Sequence, residues 1–270
     1  MKKPKISVAI ATFNEEENIG PCLDTVRQLA DEIVVVDGTS SDKTVEIASS
    51  IGRSASGRKK PKIKIIVREN PPIFHINKQM AIEAAIGDWI LQLDADERVT
   101  PELRNEILRI AKSKTEYNGF WVPRRNFFLG RYLKKGGQYP DYTLRLYKKG
   151  KGHLPCKSVH EQAEVKGKVG YLKNDLLHIA DPNFSRYLVR FNRYTSLLAD
   201  ELEEKKVKIG LFSGMNYILI KPLGWFLLTY FRHKGFVDDF PGFVFSLFSG
   251  LRFAVGYIKY WERRHASEKI

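Results

Sequence analysis

The sequence is short of cysteine, with only Cys22 and Cys156 in 270 residues. Two distant thiols supply neither a disulfide framework nor a metal-ligand spacing, and they fit a reduced, cytosolic compartment. Acid is scarce beside base: 31 Asp and Glu face 45 Lys and Arg, giving a net charge of +14. That balance calls for an anionic partner, whether nucleic acid, a membrane surface or a phosphorylated substrate, and charge alone does not choose among them. No G-x-G-x-x-G follows the first apolar run, which argues against a dinucleotide oxidoreductase. No G-x-x-x-x-G-K-[ST] is present either, which argues against a P-loop enzyme. Ala11-Thr12-Phe13-Asn14 is not the Gly-rich triphosphate loop that a sugar-1-phosphate nucleotidyltransferase needs. The first apolar run stops at Asn14-Glu15-Glu16-Glu17, too early for a signal peptide. A basic nucleic-acid-binding protein remains as a rival class, although no nucleic-acid motif organises the basic residues.

What is present is a rhythm of strands and helices. Ile6 to Thr12 reads as a buried strand and Glu16 to Ala30 as a helix. Ile33 to Val36 is a second strand, ending at Asp37, and Lys43 to Ile51 a helix capped by Ser41 or Asp42. Ile63 to Val67, a helix over Ile76 to Ile86, and a strand over Trp89 to Leu93 follow. This alternation predicts an α/β fold with a mostly parallel sheet. Arg53 to Arg68 carries seven basic residues and no acid, and reads as a solvated loop more readily than as a binding patch. Thr100-Pro101-Glu102 carries the signals of a helix start.

Beyond Arg98 the pattern changes. Phe120 to Val122, Leu144 to Tyr147 and Leu176 to Ile179 look like strands between Gly-rich turns, which predicts a mixed second half. Asn183 to Glu204 is an amphipathic helix. Three strand ends, at Thr12-Phe13-Asn14-Glu15, Asp37 and Asp94-Ala95-Asp96, are expected at one sheet edge, where open α/β sheets bind ligands. Paired carboxylates there suit Mg²⁺ or Mn²⁺, although an Asp-rich solvated turn would look the same in isolation.

These residues resemble a known family. Val8 to Ile19, then Ile33-Val34-Val35-Val36-Asp37-Gly38-Thr39-Ser40-Ser41-Asp42-Lys43-Thr44, look like the opening of family 2 glycosyltransferases. Ala84-Ala85-x-Gly87-Asp88-Trp89-Ile90-x-x-Leu93-Asp94-Ala95-Asp96 is similar to their D-x-D region. Gly136 to Leu146 and Val159-His160-Glu161 resemble the subgroup of lipopolysaccharide-core β-glucosyltransferases. So do Lys221-Pro222-x-x-Trp225-Phe226 and Pro241-Gly242-Phe243. The resemblance implies a GT-A (Rossmann-like) fold and a UDP-sugar donor bound by Ala11, Thr12, Glu15, Asp37 and Asp94. It implies a Mg²⁺ or Mn²⁺ ion on Asp94 and Asp96, finished by the donor diphosphate and His160. Lys78 touches the nucleotide or is an exposed helix lysine. Asp141 is the first candidate for the base of an inverting transfer and Glu161 the second. Pro140 stands where many relatives carry an acid, and a salt bridge to Arg145 is the alternative role for Asp141.

The C-terminal segment is basic and aromatic. Ile209 to Phe231 is long enough to cross a bilayer but carries Lys221 and Pro222 at its middle. A second apolar stretch, Phe240 to Trp261, is broken by Arg252 and Lys259. From Lys205 onward eleven Lys and Arg face four Asp and Glu, the composition of helices lying in an anionic interface. A soluble helical cap and a true span stay open as alternatives. The expected organisation is a catalytic domain over 1–204, its nucleotide half about 1–100 and acceptor half about 101–204, and a membrane-associating segment over 205–270. The expected activity is transfer of a hexose to a lipid-linked, anionic glycan at the cytoplasmic face of the inner membrane, by a peripheral or monotopic protein. A polyprenyl-phosphate sugar synthase is the alternative within the same fold. No nucleic acid is expected as partner.

Overall fold

The computed structural model describes residues 4–51, 61–157 and 161–266. The first half alternates as expected: β1 (Ile6–Thr12), α1 (Glu16–Val26), β2 (Glu32–Asp37), α2 (Thr44–Ile51), β3 (Lys62–Val67), α3 (His75–Ala84) and β4 (Trp89–Asp94). Then come β5 (Glu97–Val99), α4 (Pro101–Lys112), β6 (Gly119–Phe128), β7 (Arg131–Tyr132) and β8 (Asp141–Lys148). Short strands β9 (Gly152–His153), β10 (Glu164–Val165), β11 (Val169–Tyr171) and β12 (Leu176–His178) follow. The rest is helical: α5 (Phe184–Glu204), α6 (Leu211–Met215), α7 (Lys221–Leu227) and α8 (Asp239–Ala266). The chain divides into two compact units, 1–124 with 142–178, and 125–141 with 179–270. The compositional break at 204/205 falls inside the second unit.

In the first unit the sheet order is β3-β2-β1-β4-β8-β6-β12-β5. Strands β3, β2, β1 and β4 pair in parallel. Strand β8 is antiparallel to β4, and β12 to β5. The sheet is therefore mostly parallel, as the alternation predicted, with the mixed second half expected from the changed pattern beyond Arg98.

Apolar residues on both faces explain the layering. Ile6, Val8 and Ile10 pack with Leu23 and Val26 of α1 and Leu103 and Ile107 of α4. Ala9, Val34 and Val36 point the other way, onto Ala81 and Ile82 of α3. Thr100 caps α4 as expected, its hydroxyl accepting the Leu103 N–H at 3.2 Å, with Pro101 in the first turn.

Two helices stop earlier than their apolar spacing suggests. The Leu29 and Ala30 amides both bond the Val26 carbonyl, so α1 closes in a turn at Val26. The Ile86 N–H donates to the buried Glu32 carboxylate at 2.8 Å rather than continuing α3. The same carboxylate accepts from the Ser7 hydroxyl at 2.6 Å, and Ser7 Oγ accepts from the Gly87 N–H at 2.8 Å. Gly87 is required here, since a Cβ would lie 2.7 Å from Ser7 N.

The second unit is built on α5 and α8. Phe128, Leu133, Tyr187 and Val244 form one core, and Ala199, Leu202, Tyr257 and Tyr260 another. Helices α6 and α7 belong to one helical run, Leu211–Arg232, with π-helical turns at Asn216–Ile220 and Leu228–Arg232. A 3₁₀ turn, Gly235–Asp238, leads from it into α8.

Candidate active site

The register sets the site. Thr12 lies opposite Asp37, and Ala11 opposite Asp94, so β2, β1 and β4 end side by side. Adjacent strands are about 4.8 Å apart, which brings the three chain ends within reach of one small ligand. The convergence expected from the sequence is present.

The uridine-side candidates sit as follows. Asp37 is buried and accepts the Ser40 N–H at 2.8 Å and the Ser40 hydroxyl. Thr12 Oγ1 is buried without a hydrogen-bond partner among the described residues, next to Asp37 across the register. Glu15 lies at the start of α1, where its carboxylate accepts from Asn18 Nδ2 at 2.8 Å and its N–H donates to Thr44 Oγ1 at 2.8 Å. Ala11 is half-buried on the same strand.

Asp94 closes β4, and Ala95-Asp96 make the tight turn into β5. The fully buried Glu97 latches that turn, since the Asp94 N–H donates to its carboxylate at 2.9 Å. Arg145, from β8, spans the two acids, 2.6 Å from Asp94 and 2.7 Å from Glu97. Lys78, from α3, forms an ion pair with the other Asp94 oxygen and lies over the Phe74 ring. Lys78 is thus a buried site residue and not the exposed helix lysine of the alternative reading. Arg145 likewise serves Asp94 and Glu97. Burial alone would raise the Asp94 carboxyl, but the Arg145 guanidinium and Lys78 ammonium outweigh it and hold that carboxyl far below the usual carboxylate range. The same two acids push Arg145 upward, against its own burial.

Asp96 has a different neighbour. His178 Nε2, at the end of β12, lies 3.4 Å from Asp96 Oδ2, while Asp96 Oδ1 is buried without a hydrogen-bond partner. Burial raises the Asp96 carboxyl, and the His178 contact more than offsets this and lowers it. An orphaned carboxylate oxygen beside an imidazole fits a divalent cation in oxygen-and-nitrogen coordination. Asp94, in contrast, carries a cation on each oxygen, Lys78 and Arg145. Among the described residues no group of three His, Cys, Asp or Glu side chains forms a full metal shell.

Three candidates remain. His160 lies outside the described residues. Glu161, in the first unit, accepts the Lys157 N–H at 2.9 and 3.0 Å. Asp141, in the second unit, accepts from Asn126 Nδ2 at 3.2 Å, and Asn126 also reaches the Gln138 carbonyl at 3.3 Å.

The structure adds Glu97 and His178 to the residues named from the sequence, and it gives Arg145, named there only as a partner for Asp141, a place on Asp94 and Glu97. Glu97 was legible only as one more acid after Asp96. His178 carried no local signal, since a single His at a strand end is usually structural.

Comparison with known proteins agrees with this architecture. The profile of glycosyl transferase family 2 matches residues 7–163. The lipopolysaccharide core biosynthesis glycosyltransferase LpsC of Rhizobium meliloti is 27% identical, covering 93% of this chain and 92% of its own. An uncharacterized glycosyltransferase of Rickettsia typhi is 28% identical over 90% of this chain and 82% of its own. The mannosyltransferase PcManGT of Pyrobaculum calidifontis superposes with a TM-score of 0.56 at 12% identity, over 97% of this chain and 88% of that one. With the parallel sheet, the converging strand ends and more than half the chain under that profile, the protein belongs to glycosyl transferase family 2.

Proposed function

We propose that the protein transfers a hexose, glucose in the resembling subgroup, from a UDP-sugar to a lipid-anchored glycan of the lipopolysaccharide inner-core class, with inversion. The observation that carries the reading is the division of labour at the end of β4. Lys78 and Arg145 neutralise Asp94, while Asp96 keeps a buried, unpartnered oxygen beside His178. Thr12 and Asp37, at neighbouring strand ends, would hold uridine and ribose, with Ala11 and Glu15 assisting. The relatedness to LpsC supports the acceptor class. The Pyrobaculum mannosyltransferase was solved with GDP-Man and Mn²⁺, in keeping with a nucleotide-sugar and a divalent ion in this fold.

Asp96 and His178 would hold Mg²⁺ or Mn²⁺, with Asp94 and His160 further candidates. The ion's contribution when bound is charge neutralisation on the departing diphosphate. Asp141 takes the proton of the acceptor hydroxyl as its oxygen forms the new bond to the anomeric carbon, and the bond from that carbon to the diphosphate breaks, releasing UDP. Glu161 is the second candidate for that proton. The protein works at the cytoplasmic face of the inner membrane, where its helical segment meets the lipid.

The test is turnover on UDP-, GDP- and dTDP-hexoses with membrane-extracted acceptor lipid, with and without Mg²⁺ or Mn²⁺. Transfer from a UDP-hexose, lost in Asp96→Ala and in Asp141→Asn, supports the reading. Full activity in folded Asp96→Ala would sink the metal assignment. A product sugar released by mild acid would instead indicate a phosphate acceptor, as in a polyprenyl-phosphate sugar synthase.

A further inference from the structure

The second unit carries a large apolar surface that its own core does not use. Along the run Leu211–Arg232 only Thr229 is buried. Phe212 is 87% exposed and Leu211 77%, and Phe240, at the start of α8, is 70% exposed. Leu219, Ile220 and Leu223 are exposed as well. The one charge in this run before Arg232 is Lys221, and it is withdrawn, with Nζ 3.6 Å from the centre of the Tyr217 ring. Arg252, in the middle of α8, stacks over Trp225 and Phe253 in the same way. The outward face is left almost purely apolar. Surface of this extent on one element marks an interaction site.

Two observations say how that face meets its partner. The run Leu211–Arg232 and the helix Gly235–His265 are each long and apolar enough to cross a bilayer by composition. Yet α8 lies alongside α5, from Phe184 against Phe248 to Asp200 paired with Arg263. Between them Leu198 meets Gly256, and Lys259 Nζ bonds the Asn192 carbonyl at 2.7 Å. Sixteen residues of α5 cover about 24 Å of α8. α5 exposes Arg186, Arg193 and Asp200 along that length. If α8 crossed the roughly 30 Å of hydrocarbon, those charges would be carried into it, where they are strongly disfavoured. Gly250 in turn holds the first run against α8, since a Cβ there would lie 2.4 Å from the Pro222 carbonyl. The pair is therefore confined to the level of α5.

Charge names the partner. Asp238 is buried and its carboxylate accepts the Lys134 and Lys135 N–H groups at 2.8 to 3.0 Å. The Gly136 N–H donates to the His233 carbonyl at 2.9 Å. These bonds fix the loop Leu133 to Gly137 beside the turn that joins the two helices. The neighbouring acids Asp238 and Asp239 are both engaged by Arg131. Lys134, Lys135, Arg232 and Lys234 are exposed and pair with no acid among the described residues. Four unpaired cations at one end of an apolar face complement a lipid surface of negative headgroups.

We propose that Leu211–Arg232 lies along the bilayer and not across it, its apolar face sunk into one leaflet, with Lys134, Lys135, Arg232 and Lys234 on anionic headgroup phosphates. The proposal rests on the reading of the protein as a transferase with a lipid-linked acceptor, and it fixes the depth and orientation of that contact.

Flotation of the full chain with phosphatidylcholine vesicles, with and without phosphatidylglycerol, tests it. Binding should require phosphatidylglycerol and weaken as salt is raised. The triple variant Phe212→Ser, Leu219→Ser, Leu223→Ser should float roughly tenfold less. Lys134→Gln with Lys135→Gln and Lys234→Gln should lose the preference for phosphatidylglycerol. For orientation, Lys208→Cys and His233→Cys are made singly in a Cys156→Ser background, with Cys22 buried. An impermeant maleimide added outside sealed vesicles should label both positions. Protection of either until detergent is added would overturn the in-plane placement. A stable dimer in solution that ignores vesicles would assign the face to a second copy and overturn it equally. Transfer to detergent-dispersed acceptor separates the two readings. Intact transfer without vesicle binding refutes this inference alone, and vesicle binding without transfer refutes the proposed activity.

Discussion

The Arg145 guanidinium lies 2.6 Å from Asp94, reaching it from β8, the strand antiparallel to the one that Asp94 closes. The same nitrogen is 2.7 Å from the fully buried Glu97. One cation thus holds two acids that would otherwise repel. Removing one partner of such a buried group costs about 3–5 kcal/mol, because the charges left behind stay desolvated. Arg145→Ala should lower the urea midpoint accordingly, and Arg145→Lys should recover only part, since an ammonium lacks the planar fork. An unchanged midpoint in Arg145→Ala would show that the pairing contributes little.

His178 and Asp96 give a prediction about metal affinity. If Asp96 Oδ1 and the imidazole both face the ion, His178→Ala should weaken Mn²⁺ binding by roughly tenfold or more, and Asp96→Asn by more. Calorimetric titration of Mn²⁺ in the presence of UDP reads this without any turnover. Equal affinity in wild type and His178→Ala would remove the histidine from the shell.

Gly87 gives a prediction about stability alone. A Cβ at this position meets Ser7 N and Ser7 Oγ at 2.7 Å and the Lys5 carbonyl at 3.0 Å, mostly backbone that cannot turn away. Gly87→Ala should cost about 1–3 kcal/mol, the usual penalty for overpacking. The affinity of the folded fraction for UDP should stay as it was. Thermal melting and nucleotide titration on the same sample separate the two effects.

Tyr187 gives the pH dependence. Burial pushes its phenol up to about 12, a rise that the nearby Arg190 only partly opposes. A group whose folded pKa is raised contributes its stability below the unfolded value, near 10, and loses it as pH climbs through the folded one. Wild type should therefore lose about 2–3 kcal/mol more than Tyr187→Phe between pH 10 and 12, with the two alike at pH 7. Parallel alkaline limbs in the two proteins would contradict this.

The parts of the fold legible in the sequence were those with repeated local signals. β1, β2 and β4 are mostly apolar runs closed by Thr12, Asp37 and Asp94, and their parallel register brings those three together as expected. α4 was marked by Thr100 and Pro101. The short strands β5, β7 and β9 to β11 have two or three residues each, too few for a period to show. Within the site, Asp94 and Asp96 were legible as a pair, but their opposite circumstances were not. Those depend on Lys78, Arg145 and His178, which arrive from α3, β8 and β12, and no spacing within the chain announces such long-range neighbours. α1 and α3 were read too long for a related reason. Buried apolar residues continue past their ends, while the hydrogen bonds of Leu29, Ala30 and Ile86 turn the backbone elsewhere.

The buried Asp238 has a mechanical consequence. By gripping the Lys134 and Lys135 amides it makes the loop that runs on to Asp141 a lever whose fulcrum is the turn between the two long helices. Loss of that one carboxylate would loosen the loop and the turn from each other at once, so the two are held as one piece.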